Sequence, residues 1–444
     1  MSWRIDRRSF LQASAAGVTH LAMAPYVRAF DLNGKLRVAA IGTGNRGRDD
    51  LLSIAASPRV EVTALCDVDQ SQAHYGWAVE KFPKAARFSD FRRLFDKPDR
   101  FDAVMVSTPD HMHAPIALVA MELGKHVFCQ KPLTHTVSEA RQMREAAERQ
   151  RLVTQMCNQI QSHRAYRTAV KLVHDGAIGR VREVHSWQSG DMWWMTTDRR
   201  PAKADPIPQS LDWDLWLGVA PQRPYNDIIY HPIQWRAWQD FGSGQLGDFG
   251  CHIMDPVFMA LELGAPISVE ANAPPLNEEV WARWCQVSYQ FPGTAHTRGE
   301  TLPLTWYDGD GRKPERARLG LPDTYELPHA GSVLVGEEGT MVVPHWALPQ
   351  LFPEERFRDY AMPELEDVDH FTSWVDACLG DGRTTSHFGY AGPLTEAVLL
   401  GVIAIRFPGE QLQWDSRAAR FTHHADATAR LSKEYRRGWD LPAG

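Results

Sequence analysis

A lysine, an aspartate and a histidine stand out as groups that could move a proton. Lys131 follows a short apolar run, whereas Asp248 and His252 are four residues apart and would share one face of a helix. An aspartate can orient an imidazole and tune its pKa towards neutrality. We therefore assign His252 as general acid/base, Asp248 as its partner or a ligand of a substrate hydroxyl, and Lys131 as the donor that stabilises an oxyanion. In the alternative, Lys131 is the base and His252 only positions the substrate.

A glycine-rich loop supplies the second piece of chemistry. It fits G-x-G-x-x-G between an apolar run and a helical segment, where backbone N–H groups and the helix dipole hold a pyrophosphate. An acidic residue 20 positions after the last glycine suits the ribose hydroxyls and repels a 2′-phosphate, which favours NAD over NADP. The cofactor residues predicted from this pattern are Gly42, Gly44, Asn45, Arg46, Gly47 and, for the ribose, Asp67.

The elements that must position these groups alternate between strand and helix up to about residue 158. Apolar strands are predicted at 35–41, 60–65, 103–107, 126–129 and 152–156, with helices between them. This pattern indicates a doubly wound parallel sheet, the α/β Rossmann class. Beyond residue 160 the strands are more widely spaced and helices fewer, which predicts an α+β domain with a mostly antiparallel sheet. The expected segments are 1–34 (signal and linker), 35–158, 159–415 and a tail, 416–444, packing on both domains.

Further candidates lie at the ends of the predicted strands. We expect Thr108 and Pro109 near the nicotinamide ribose, and His113 either bordering the cofactor or simply starting a helix. His111 and His113 also have metal-like spacing, but no motif adds a third ligand to them or to Asp248 and His252, so no metal is expected.

Neutral and aromatic side chains suggest the substrate. Asn158 and Gln159, just after the strand predicted at 152–156, can bind hydroxyl groups, and seven tryptophans fall within 187–238. Aromatic faces offer platforms for sugar rings, with core packing as the alternative for each of them. The cluster comprises Trp187, Trp193, Trp194, Trp213, Trp216, Trp235 and Trp238, of which Trp193 and Trp194 are the substrate candidates.

The motif Gln130-Lys131-Pro132 resembles the Glu-Lys-Pro motif of the Gfo/Idh/MocA family, which includes glucose–fructose oxidoreductase and inositol dehydrogenase. The run 242–252, which ends in Asp248 and His252, is similar to the family's second signature. The adjacent Trp235 and Arg236 resemble a pair that many members carry near the nicotinamide.

The resemblance implies a Rossmann domain, a second domain with an open and mostly antiparallel sheet, chemistry in the cleft between them, and a homo-oligomer, either a dimer or a tetramer. Gln130 replaces the usual Glu, a supporting residue near the cofactor.

Composition and the N-terminal segment bear on location. With 48 Lys+Arg and 55 Asp+Glu, the net charge of −7 argues against a nucleic-acid partner. Residues 6–12 (DRRSFLQ) resemble a twin-arginine export signal, and the following Ala-rich stretch is too short to span a bilayer. We expect export by the twin-arginine machinery to the periplasm or beyond, without stable membrane insertion.

Together these features predict an NAD-dependent oxidoreductase that transfers hydride between the nicotinamide and a secondary hydroxyl of a sugar or glycoside, with the cofactor retained. One alternative is an NAD-retaining glycosidase that works by transient oxidation and elimination. Another, of a different class, is a noncatalytic protein that binds sugar or NAD.

Overall fold

The computed structural model describes residues 34–192 and 194–439. Its first sheet has six strands in the order β3-β2-β1-β4-β5-β6, all parallel. The order reverses between β1 and β4, and ligands bind at such a switch point beyond the carboxyl ends of the strands. The strands are β1 (Leu36–Ile41), β2 (Val60–Cys66), β3 (Ala86–Phe88), β4 (Ala103–Val106), β5 (His126–Gln130) and β6 (Thr154–Cys157).

The second sheet has nine strands in the order β13-β12-β11-β7-β10-β9-β8-β14-β15. Its pairs are antiparallel, except that β7 and β10 run parallel. The strands are β7 (Val181–Gln188), β8 (Ser268–Asn272), β9 (Cys285–Pro292), β10 (Thr301–Asp308), β11 (Ala330–Gly336), β12 (Thr340–Pro344), β13 (Gln350–Phe352), β14 (Leu412–Asp415) and β15 (Arg420–Thr422).

Helices cover both faces of the first sheet and carry the site residues of the second domain. They are α1 (Arg46–Ala55), α2 (Trp77–Lys81), α3 (Phe91–Phe95), α4 (His113–Glu122), α5 (Val137–Gln150), α6 (Arg164–His174), α7 (Trp213–Leu217), α8 (Gly244–Ile253), α9 (Asp255–Leu261), α10 (Glu354–Phe357), α11 (His370–Cys378), α12 (Phe388–Ala404) and α13 (Ala425–Ala429). The second of the two sheets packs on α8 and α12, and α12 also packs on α5 of the first domain.

The predicted fold class is confirmed: a parallel Rossmann sheet is followed by a mixed, mostly antiparallel sheet. Four strands escaped the sequence analysis: β3, β10, and β13 and β15, which have three residues each. β3 has three residues and is not fully buried, and β10 contains Pro303, which usually argues against a central strand. Pairing between β10 and β7 begins only at Leu304, so the missing N–H of Pro303 is not needed by that neighbour.

The chain after α12 returns to both domains. The sheet continues past residue 415, because β15 is its last strand, and the following segment reaches the first domain, where Leu431 accepts a hydrogen bond from the backbone N–H of Ser138. The six cysteines are buried. Among the described helices, none combines the length and apolar character needed to cross a bilayer. The export signal predicted at 6–12 lies outside the described residues.

Candidate active site

A cleft of about 480 Å³ runs along the carboxyl ends of the parallel strands and is closed on the far side by the second domain. Its walls hold the glycine loop, the ends of β2, β4 and β5, and residues of α8. The predicted residues among its lining are Gly42, Gly44, Asn45, Arg46, Asp67, Thr108, Pro109, Gln130, Lys131, Gln159, Trp194, Trp235, Arg236, Asp248 and His252.

The glycine loop has the geometry of a phosphate cradle. Gly42 has φ +82°, and a Cβ there would lie 2.5 Å from the carbonyl oxygen of Ser107. A Cβ on Gly47 would lie 2.2 Å from the carbonyl oxygen of Gly42, so only glycine lets the start of α1 sit against the end of β1. The loop therefore turns the first N–H groups of α1 towards the cleft, as anion binding requires.

One buried carboxylate holds the loop to the neighbouring strands. Asp50 of α1 accepts hydrogen bonds from Ser107 Oγ at 2.8 Å and Gln130 Nε2 at 2.7 Å, and it pairs with Arg46 Nε at 3.1 Å. Burial raises the pKa of Asp50, and these donors oppose that rise. The Gln130 amide is oriented at its other end because its Oε1 accepts the backbone N–H of Lys131 at 3.2 Å. Gln130 thus ties the catalytic strand end to the phosphate loop.

The ribose end also fits a dinucleotide. Asp67 Oδ2 accepts the backbone N–H of Thr43 at 2.7 Å, which places the carboxylate beside the loop at the carboxyl end of β2. Near the nicotinamide end, Thr108 Oγ1 is buried, borders the cleft and has no hydrogen-bond partner among the described residues. An unpartnered buried hydroxyl is costly, and a ligand hydroxyl or amide would satisfy it. These residues fit a bound nicotinamide dinucleotide.

Lys131 and Asp248 meet across the two domains. Lys131 Nζ donates to Asp248 Oδ1 at 2.6 Å and to the Asp248 carbonyl at 2.8 Å, which leaves one ammonium N–H for a ligand. Arg236 Nε donates to the same carboxylate oxygen at 3.3 Å. Burial alone would raise the pKa of Asp248, but Lys131 and Arg236 outweigh it and hold the pKa well below its usual range. Asp248 therefore stays ionised and fixes the ammonium group at the cleft.

His252 is oriented by Asn158. The Asn158 Nδ2 donates to the Cys251 carbonyl at 2.8 Å, so its Oδ1 must face His252 and accept from Nδ1. The neutral imidazole consequently carries its proton on Nδ1 and has a lone pair on Nε2. Burial, followed by the charge of Lys131, holds the pKa of His252 well below its ordinary value. The ring is thus a neutral proton acceptor.

Two sequence assignments change on this geometry. Asp248 was expected to pair with His252, but its hydrogen bonds go to Lys131 and Arg236 instead. Asn158 was expected to bind substrate, but it is completely buried and both ends of its amide are occupied. The i,i+4 spacing does put both α8 side chains at the cleft, whereas an asparagine at a strand end gives no signal of which neighbour it will bind.

Of the two roles left open for His113, the structure supports the start of a helix, and the residue does not line the cleft. It is buried at the start of α4, with Nδ1 2.9 Å from the Pro132 carbonyl and Nε2 2.8 Å from the Thr108 carbonyl. Its imidazole therefore links the loop that follows β4 to the loop that follows β5. Trp187, Trp213 and Trp238 are also buried and do not line the cleft, so core packing accounts for them. Trp194, Trp216 and Trp235 are buried as well but line the cleft. The position of Trp193 lies outside the described residues.

A histidine pair that the sequence analysis did not single out lies near the ribose end. Asp69, His74 and His231 bring three possible metal-ligand atoms within 4.8 Å of one another. The indole N–H of Trp216 donates to His231 Nδ1 at 3.2 Å, so the proton of neutral His231 sits on Nε2 and is donated to Asp69 Oδ2 at 2.9 Å. A ring in this tautomer has no lone pair to offer on Nε2, which favours a hydrogen-bonded link over a metal site.

This link is part of a wider cover over the adenosine end. The backbone of Gln70 donates to Ser210 at 2.7 Å, and that of Asp212 donates to Val68 at 3.0 Å. Arg92 lies over the Trp439 ring at 4.3 Å, and Trp439 borders the cleft. We define the adenosine cover as residues 208–233 together with 433–439. It closes the half of the cleft that would hold the adenosine.

Two family models match the chain in succession. The first is described as an oxidoreductase family with an NAD-binding Rossmann fold and matches residues 36–157. The second is described as the C-terminal alpha/beta domain of the same oxidoreductase family and matches residues 164–298. Both belong to GFO_IDH_MocA, and together they span the cleft from the glycine loop to α8.

Curated relatives match part of the chain. A levoglucosan dehydrogenase of Pseudarthrobacter phenanthrenivorans is 29% identical over 229 residues, which is 50% of each chain. An alpha-N-acetylgalactosaminidase of Shewanella oneidensis is 33% identical over 155 residues, or 33% of each chain. The chain thus matches half the length of the first of these relatives and a third of the second.

Solved structures share the fold over most of the chain. The WlbA dehydrogenase of Bordetella pertussis, solved with NADH and UDP-GlcNAcA, has a TM-score of 0.59 at 16% identity and covers 86% of this chain and 99% of its own. GenD2 from gentamicin A biosynthesis, solved with NAD, has a TM-score of 0.57 at 18% identity and covers 89% of this chain and 100% of its own. At these identities the likeness establishes the architecture.

Proposed function

The chain belongs to the Gfo/Idh/MocA family of oxidoreductases, and on that premise we propose that it is an NAD-dependent oxidoreductase acting on a secondary hydroxyl of a sugar or glycoside. The observation that carries the proposal is the meeting of Lys131 and His252 at one cleft, supplied by different domains. The levoglucosan dehydrogenase and WlbA likenesses support a carbohydrate substrate.

Three side chains of this protein have distinct roles in the proposed reaction. When bound, NAD supplies the hydride acceptor. His252 Nε2 takes the hydroxyl proton, because Asn158 holds the ring in the tautomer with a free lone pair there. The free N–H of Lys131 donates to the substrate oxygen as negative charge develops on it. Asp248 holds that ammonium in place and keeps its charge balanced in the water-poor cleft.

We prefer NAD to NADP because Asp67 lies at the ribose end, where a carboxylate repels a 2′-phosphate. We also propose that NAD is retained between turnovers. The adenosine cover supports this, since release requires breaking its contacts with residues 68–70 and 92. Retention would suit a protein exported after folding.

The test is to incubate the purified protein with a panel of glycosides while following reduced nicotinamide and products. Substrate-dependent reduction of the cofactor that yields a keto sugar supports the oxidoreductase. Reduction by no member of the panel, with NAD bound, would refute it. Dialysis before the assay tests retention, and complete loss of cofactor under mild conditions would contradict it.

The second candidate is a glycosidase that oxidises its substrate transiently, eliminates the leaving group and returns the hydride. It is favoured by the match to the alpha-N-acetylgalactosaminidase. The same assay separates the two, because this reaction releases an aglycone with no net redox change. A noncatalytic binding protein would produce neither reduced nicotinamide nor a released aglycone.

We further propose export by the twin-arginine route to the periplasm, on the motif at residues 6–12, and assembly into a homo-oligomer. Replacing Arg7 and Arg8 together by lysine should retain the protein in the cytoplasm, which cell fractionation would detect. Light scattering on the purified protein tests the oligomer, and a monomer at working concentration would refute it.

A further inference from the structure

An exposed tryptophan lies in the turn between β12 and β13, two ring contacts away from His252, which lines the cleft. Trp346 is 48% exposed, unlike the tryptophans of the 187–238 cluster that the structure describes, which are buried. Its φ is +67°, a conformation that a bulky side chain rarely adopts. Strain of this kind persists only where surrounding contacts maintain it, and it concentrates at binding sites.

Ring contacts link Trp346 to the candidate base. The Trp346 ring lies 5.6 Å from that of His345, and His345 lies 5.9 Å from the ring of His252. The Tyr166 hydroxyl lies 2.9 Å from His345 Nδ1 and fixes that ring. Two successive ring contacts therefore lead from the base to the indole, a span comparable to the reach of a second sugar unit.

A second imidazole, that of His163, also contacts the indole. His163 contacts it edge-to-face at 5.5 Å and pairs with Asp367 at 3.7 Å. His163 begins the turn into α6 just after the short helix that starts at Gln159, which lines the cleft. The indole therefore contacts two imidazoles and is still 48% exposed.

We propose that Trp346 forms a second sugar subsite and that the preferred substrate is a glycoside whose second pyranose ring stacks on the indole. This rests on the proposed function. An indole surface suits the C–H face of a pyranose, while the neighbouring imidazoles can bond its hydroxyl groups. A subsite beyond the reacting ring contributes binding in both ground and transition states, so it should lower KM more than it raises kcat.

The test follows the single reduction of bound NAD in wild type and Trp346→Ala over a range of concentrations of glucose, methyl glucoside, cellobiose, maltose and lactose. KM and kcat here denote the half-saturating concentration and the limiting rate of that reduction. Loss of the indole should raise KM for the preferred disaccharide by about three- to tenfold, with kcat and the monosaccharide KM little changed. Trp346→Phe should recover part of the loss. Leu123→Ala, which removes another exposed apolar side chain on the first domain, is the matched control and should change nothing.

The possible outcomes distinguish failure of the proposed subsite from failure of the proposed function. Equal disaccharide kinetics in wild type and Trp346→Ala would overturn the subsite while leaving the proposed function intact. A preference of the wild type for monosaccharides would also overturn it. If no sugar in the panel reduces the bound cofactor, the proposed function and the subsite both fail. Because the side chain is exposed, Trp346→Ala should keep the wild-type thermal midpoint, and a fall in it shared with kcat would point to a structural role.

Discussion

Exchanging Gln130 for glutamate tests how the catalytic strand end is supported. The Gln130 Nε2 lies 2.7 Å from the buried Asp50 carboxylate, so Gln130→Glu brings two carboxyl groups to that separation. Two charges about 3 Å apart at an effective dielectric constant of about 20 repel by about 5 kcal/mol. The two carboxyl groups avoid this repulsion by binding one proton. The loss of folding stability is then limited to the free energy needed to keep that proton bound.

That cost depends on pH with a definite sign. The shared proton raises the folded-state pKa of the pair above the unfolded value of about 4.3, so the loss of stability is small near that value and grows as pH rises. At about 1.4 kcal/mol per pH unit, the free energy of unfolding should fall by about 1 kcal/mol at pH 5 and by about 3 to 4 kcal/mol at pH 7. The fall should level off above the folded pKa.

Urea unfolding of wild type and variant at several pH values measures this. Gln130→Met is the control, because it removes the hydrogen bond to Asp50 without adding charge; its penalty of about 1–3 kcal/mol should change much less with pH. A Gln130→Glu variant as stable as the wild type at pH 7, or one whose deficit is the same at pH 5 and pH 8, would refute the reasoning.

Three further predictions concern the cleft. Lys131→Met should lower the rate of cofactor reduction by about 100- to 1,000-fold while leaving NAD bound, as absorbance and a cofactor titration would show; full-rate reduction would contradict its role. Asn158→Asp should place a carboxylate beside His252 Nδ1 and raise the pKa of that imidazole, so the acid limb of the pH–rate profile moves to higher pH; an unmoved limb would speak against the assigned tautomer. Asp69→Asn should weaken the link from His231 to the first domain, and NAD should dissociate several times faster on dilution; an unchanged rate would remove this link from the explanation of retention.

The parallel sheet could be predicted because each long strand is an apolar run that ends in chemically distinctive residues. The glycine loop followed from its motif. Lys131 followed from the resemblance of residues 130–132 to a family motif and from its place at a strand end, since the carboxyl ends of parallel strands meet at one edge. β3 and β10 were missed because one is very short and the other contains Pro303, and only the pairing pattern explains how that proline is tolerated.

Other site features depend on three-dimensional neighbours that composition does not reveal. Asn158 could bind either a ligand or the protein, and the position of the Cys251 carbonyl decides between them. The tryptophans within 187–238 are crowded in sequence, yet those described are buried, whereas Trp346 is isolated in sequence and exposed. Exposure depends on what the rest of the chain covers, and local sequence does not show it.

The bond between Lys131 and Asp248 has a consequence for how substrate enters. It joins the two domains at the reacting centre, and the hydrogen bond from Asn158 to the Cys251 carbonyl joins them again nearby. A hinge motion that separated the domains would have to break, at every turnover, an ion pair whose two side chains are each only 14% exposed. We therefore expect substrate to enter without such a motion, and the rate of catalysis should depend little on solvent viscosity.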